Sequence, residues 1–133
     1  MNEQLKRLVR EVTVASDEDR ILFPDVVKAL TGAGVERYHT DLVAAAKTYY
    51  MPDGSFEAVG CQRPPSPAAV FFADGVERAV RAIQRQEIGY PEFCSRIAAA
   101  GCVGYFVTLA GRRAVYYGRT CDQYVEWFPG AKP

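Results

Sequence analysis

Residues 21–50 read ILFPDVVKALTGAGVERYHTDLVAAAKTYY, and residues 88–117 read IGYPEFCSRIAAAGCVGYFVTLAGRRAVYY. Aligned without a gap, they share Ile21/Ile88, Pro24/Pro91, Ala33/Ala100, Gly34/Gly101, Tyr38/Tyr105, Leu42/Leu109, Tyr49/Tyr116 and Tyr50/Tyr117, every pair 67 positions apart. Phe23 with Tyr90, Asp25 with Glu92 and Leu30 with Ile97 are conservative matches in the same register. A register held across the whole segment marks an internal duplication.

Each copy carries the signals of the same elements. Pro24 and Pro91 stand where a helix tolerates proline, and Gly34 and Gly101 where a left-handed residue ends one. These residues frame short helices over 24–33 and 91–100. Upstream, Leu5, Leu8, Val9 and Val12 follow the i, i+3, i+4, i+7 pattern of an amphipathic helix. Val76, Ala79, Val80 and Ile83 repeat that pattern at a slightly different offset, with Asp74 and Glu77 as a capping box. Strands follow at 36–43 and 103–109, and at 47–51 and 112–118, all rich in β-branched and aromatic residues. Ala110-Gly111 reads as a hairpin turn. Asp53-Gly54 reads as a stronger one, leading to a third strand at 55–61 whose counterpart is 123–128.

Each half is therefore helix, helix, three-stranded meander. Repeat 1 spans about 3–61, a proline-rich crossover 62–73, and repeat 2 about 75–128. Halves of this size are marginal alone. The expectation is one α+β domain over 1–133, its halves sharing one core, with helices on one face of a mainly antiparallel sheet.

Composition supports a self-sufficient core. The 133 residues are 49% hydrophobic, and 16 Lys+Arg balance 16 Asp+Glu. Surface scaling gives roughly 7,000 Å² of folded surface, about a third of that of the unfolded chain. Zero net charge removes the long-range field that nucleic-acid binding exploits, so nucleic acid is disfavoured as a partner. No apolar run approaches a membrane span, and the charged start lacks a signal-peptide core, which points to no membrane and a cytoplasmic setting. Cys61, Cys94, Cys102 and Cys121 form no C-x-x-C pair and lie at no zinc-ligand spacing from His39, the single histidine, so neither metal nor cofactor is expected. Cys94 and Cys102 read as small core residues. Cys121 reads as an exposed thiol beside Arg119, which would favour its thiolate.

Phe23-Pro24, then Ala33-Gly34-Val35-Glu36-Arg37-Tyr38 with His39 and Asp41, resembles the first half of the YdfO-like family. Tyr90-Pro91-Glu92-Phe93, Arg96-Ile97, Ala100-Gly101-Cys102-Val103-Gly104-Tyr105, Gly111-Arg112 and Tyr117-Gly118-Arg119 resemble its second half more closely. The resemblance covers roughly 20–128. It implies a small cytosolic α+β domain of bacterial or prophage origin, of the kind sometimes labelled phage envelope protein. It brings no catalytic residues with it.

Candidate site residues come from strand alternation. In the first strand Tyr38, Thr40 and Leu42 share one face, and Arg37, His39 and Asp41 the other. Tyr105 and Leu109 keep the first face in the second copy, which assigns it to the core. Gly104, Phe106 and Thr108 occupy the opposite face, so His39 and Asp41 are not required by the repeated scaffold. Asp41, two residues from His39, is placed to tune the imidazole electrostatically. In the hairpin 111–119, alternation puts Arg113, Tyr117 and Arg119 on one side, a pattern suited to stacked bases and phosphates. The phosphate-loop and nucleophile-elbow patterns are absent. The acidic run Asp17-Glu18-Asp19 reads as a solvated loop or a charged helix start.

The sequence thus favours a non-catalytic module binding a protein partner or a small polar ligand between its halves, through Arg37, His39, Asp41, Arg113, Tyr117 and Arg119. The alternatives are a small enzyme using His39 with Asp41, and a nucleic-acid binder using the 111–119 hairpin. Tyr124, Trp127 and Phe128 near the last strand suit an interface, and that strand's free edge makes a homodimer possible.

Overall fold

The computed structural model describes residues 1–131. Its order is α1 (Glu3–Asp17), α2 (Phe23–Gly32), β1 (Arg37–Asp41), β2 (Ala46–Tyr50), β3 (Phe56–Gly60), α3 (Ala73–Gln84), α4 (Tyr90–Ala99), β4 (Gly104–Thr108), β5 (Arg113–Tyr117) and β6 (Gln123–Trp127). The six strands form one antiparallel sheet in the order β3-β2-β1-β4-β5-β6. The class is α+β, and the helix-helix-strand-strand-strand unit occurs twice.

The halves meet through backbone hydrogen bonds. β1 pairs with β4 so that Arg37 faces Thr108, His39 faces Phe106 and Asp41 faces Gly104. Shifting either strand onto its repeat maps this ladder onto itself. A pseudo-twofold axis therefore passes between His39 and Phe106.

All four helices lie on one side, over a core that includes Val9, Val12, Leu30, Val76, Val80, Ile97, Tyr38, Tyr49, Tyr105 and Tyr116. Burial of these residues is the main stabilising term. The folded surface of 7277 Å² matches the size expectation. Ion pairs pin the helices at the sheet edges: Arg10 to Glu57 on β3 at 2.9 Å, and Arg81 to Glu126 on β6 at 2.8 Å.

Two local expectations are corrected. The first helix repeats at the same 67-residue offset as everything else, so Val9, Val12, Thr13 and Ser16 correspond to Val76, Ala79, Val80 and Ile83. Helix α1 simply begins about a turn earlier, where the Asn2 side chain accepts from the Leu5 amide at 2.8 Å. Asp74 is not the N-cap of α3. Phe72 takes that place without a side-chain cap, its own N–H donating to the Ala100 carbonyl at 2.7 Å, while Asp74 sits in the first turn. An acidic group there still complements the helix dipole.

The turns repeat as faithfully as the elements. Left-handed residues fall at Asp19 and Gln86, Gly34 and Gly101, Ala45 and Arg112, and Gly54 and Cys121. In the 109–112 turn the left-handed residue is thus Arg112 rather than Gly111. Cys121 occupies, at φ 65°, the position that the first copy gives to Gly54. A side chain is disfavoured in that conformation. Cys121→Gly should raise stability by about 0.5–1 kcal/mol in urea unfolding. A lower midpoint in the variant would show that Cys121 makes compensating contacts.

Candidate functional site

Among the described residues, none covers the side of the sheet away from the helices. Cross-strand pairing arranges its side chains in three rows. One row runs Phe56, Tyr50, Arg37, Thr108, Arg113, Trp127. The central row runs Ala58, Thr48, His39, Phe106, Val115, Val125. The last runs Gly60, Ala46, Asp41, Gly104, Tyr117, Gln123. Phe56 is 61% exposed, Phe106 44% and Val125 37%. Five of the six sequence-derived candidates stand on this face: Arg37, His39, Asp41, Arg113 and Tyr117. Arg119 does not. It lies beyond β5, and its guanidinium donates to the Pro67 carbonyl at 3.1 Å, fastening the crossover.

At the centre, His39 Nε2 and the Tyr117 hydroxyl are 2.6 Å apart. The imidazole centroid is 4.4 Å from that of Phe106 and 5.9 Å from that of Tyr117. Tyr117 reaches β1 because the intervening residue on β4 is Gly104. A Cβ there would sit 2.5 Å from the phenolic oxygen. In the first copy the corresponding tyrosine, Tyr50, instead lies under the Arg37 guanidinium at 4.4 Å, and Arg37 pairs with Glu36. Arg113 lies 4.7 Å from the Trp127 ring centroid.

Burial lowers the His39 pKa from its ordinary value, against a smaller upward effect from Asp41. Burial, and then Asp41, raises that of Tyr117. Both groups are neutral near pH 7. Their pair is a hydrogen-bonded aromatic platform rather than an activated nucleophile. Asp41 acts chiefly elsewhere: its Oδ1 accepts from the Val43 and Ala44 amides at 2.9 and 2.8 Å and shapes the β1–β2 turn. Thr108 Oγ1 does the same for Gly111 in the second copy.

A second polar group lies under the helices and was not singled out from the sequence. Lys47 is 3% exposed, with Nζ 4.4 Å from the Tyr90 ring centroid. Burial pushes its pKa below the usual lysine value. Its cross-strand neighbour Thr40 has a buried Oγ1 without a hydrogen-bond partner among the described residues. A cavity of about 10 Å³, room for a single water, is bordered by Thr40, Asp17, Tyr90, Cys61 and Cys94. Burial also raises the thiol pKa values, Cys94 to about 11. Thr40 and Lys47 become Val107 and Ala114 in the second copy, and Tyr90 and Cys61 correspond to Phe23 and Phe128, which pack edge to face. The signal available in sequence was alternation: Lys47 shares a face with Tyr49, a residue repeated as Tyr116 and fully buried.

The remaining candidates resolve simply. Cys102 is fully buried, Cys94 buried and Cys121 exposed. Asp19 serves as a charged helix start, its Oδ1 accepting from the Tyr90 amide of α4 at 3.3 Å. Asp17 Oδ2 accepts from the Gln62 amide at 2.9 Å. A shallow depression of about 490 Å³ along α1, lined by Asn2, Leu5, Leu8 and Ala33 among others, contains none of the candidate residues. Among the described residues, no three His, Cys, Asp or Glu side chains group to hold a metal ion, and no helix is long and apolar enough to cross a membrane. The chain matches no protein-family model and no curated protein.

Proposed function

We propose that the chain is a non-catalytic binding module that receives a protein partner on the uncovered face of its sheet. The observation that carries this reading is the exposure of Phe106 at the centre of that face, continuous with Val115 and Val125 along the central row. A contiguous apolar surface edged by arginines and aromatics has the composition of an interface core. The neutral His39–Tyr117 pair adds a polar group without the cost of burying a charge. A small polar ligand between the halves fits less well, because the halves join through an unbroken ladder. The nucleic-acid reading weakens likewise, since Arg119 is engaged with the crossover. Kinship with the YdfO-like family, a prophage ancestry and a cytoplasmic setting belong to the same reading.

The test is photo-crosslinking in cells, with p-benzoylphenylalanine at position 106 on the sheet face or at position 14 on the exposed side of α1. Adducts at 106 and none at 14 are expected. Absence of any adduct at 106 would overturn the reading. Turnover of a hydrolase or transferase substrate that disappears in His39→Ala would replace it with the enzymatic one.

A further inference from the structure

Resting on that reading, we infer that the partner is a second copy of this chain, stacked sheet to sheet about a twofold axis that runs along the central row. The argument is the complementarity of the face with itself. Such an axis lays each strand over its own copy and exchanges the two outer rows. Arg37 then meets Asp41, whose Oδ2 is not used by the turn amides. Tyr50 meets Ala46, Thr108 meets Gly104, and the Arg113 guanidinium meets the Tyr117 ring. In the outer rows of the four central strands, then, Tyr50 opposes a small residue and each charge finds an opposite charge or an aromatic face, while the central row meets itself.

Stacked sheets rotate by roughly 30° because each is twisted. That rotation displaces the edge strands by several ångströms and barely moves residues beside the centre. Phe106 therefore faces Phe106 of the second copy. Six strands about 4.8 Å apart and five residues long give a footprint near 500 Å². The two faces together bury at most about 1,000 Å² before side-chain relief is added, which stands at the lower bound for a biological interface. With zero net charge, two copies approach without long-range repulsion.

Sedimentation equilibrium tests this directly. The wild-type chain, 14.7 kDa as a monomer, should show a concentration-dependent mass approaching twice that value. Phe106→Glu and Phe106→Lys should each raise the dissociation constant about 30-fold or more. Mixed one to one, the two variants should re-associate, because opposite charges then face each other across the axis. Arg37→Asp, which sets a carboxylate against Asp41, should weaken the dimer about tenfold or more. Circular dichroism confirms that each variant is folded; both side chains point to solvent.

A wild-type chain that stays monomeric to about 100 μM, a Phe106→Glu variant that still dimerises, or a Glu/Lys mixture that stays apart would each overturn the proposal. The crosslink at position 106 separates the two levels. An adduct of another mass preserves the interface reading and ends this one, whereas no adduct ends both.

Discussion

Gly101→Ala should destabilise the protein by about 3–4 kcal/mol, whereas Gly34→Ala, at the equivalent position, should cost only about 1 kcal/mol. The two glycines have φ of +86° and +83°, so the penalty for placing a side chain in the left-handed region is common to both. Their surroundings differ. A Cβ at Gly34 would meet only the flexible end of Met51, at 3.7 Å. A Cβ at Gly101 would lie 2.2 Å from the Val70 carbonyl oxygen and 2.8 Å from the Phe71 Cα. Backbone atoms cannot rotate aside. The crossover would have to lift, straining the bonds from Ala68 to the Ala98 carbonyl (2.9 Å) and from Phe72 to the Ala100 carbonyl (2.7 Å). Urea unfolding of the two variants measures the difference. Equal losses would show that the crossover is not seated against the end of α4.

Lys47→Met should make the protein more stable at pH 7, by about 1–4 kcal/mol. Lys47 is buried without a carboxylate bonded to it among the described residues, so its charge loses hydration that the Tyr90 ring only partly replaces. The sign of the pH dependence follows. Because the folded-state pKa lies below the unfolded value, the folded chain binds fewer protons between the two, and wild-type stability rises with pH across that window. The advantage of methionine is thus full below the folded pKa. Above it, the advantage shrinks by about 1.4 kcal/mol per pH unit toward the unfolded value. The buried tyrosines, whose pKa values are also displaced, are common to both proteins and cancel. Denaturation of the pair between pH 7 and 9.5 reads the gap. A methionine variant less stable than wild type would show that the contact with Tyr90 outweighs desolvation.

Much of this architecture is legible in the sequence because the chain is written twice. Proline and glycine at matched positions bound α2 and α4, and alternation through Tyr38 and Tyr105 separates the core side of β1 and β4 from the open side. The errors have physical causes. An amphipathic helix resembles itself when slid by one turn, so Leu5, Leu8, Val9 and Val12 imitate the pattern that Val9, Val12, Thr13 and Ser16 actually supply. The last two escape notice because they are polar, yet both are buried, and their hydroxyls donate to the Val9 and Val12 carbonyls at 2.7 and 2.9 Å.

At the site, strand alternation collects Arg37, His39, Asp41, Arg113 and Tyr117 on one face. It does not reveal that Tyr117, rather than Asp41, bonds His39. That contact depends on Gly104 leaving space between two strands, which only the pairing of β1 with β4 brings together. Lys47 was hidden by its residue type, since a lysine reads as solvent-facing even where its neighbours are core.

The ladder around His39 and Phe106 has a consequence for how the two halves diverged. If two identical single units paired through this strand, the residue at the symmetry centre would face its own twin, and every substitution would appear on both sides at once. A histidine against a phenylalanine, or a buried lysine answered by an alanine, is closed to such an assembly. Joining the units in one polypeptide removes that constraint. Of the two symmetry-related sites under the helices, each built from both halves, one is then free to retain the tightly packed form, with Val107, Ala114 and Phe23. The other holds Thr40, Lys47 and Tyr90 under the shelter of a shared sheet that its counterpart keeps stable.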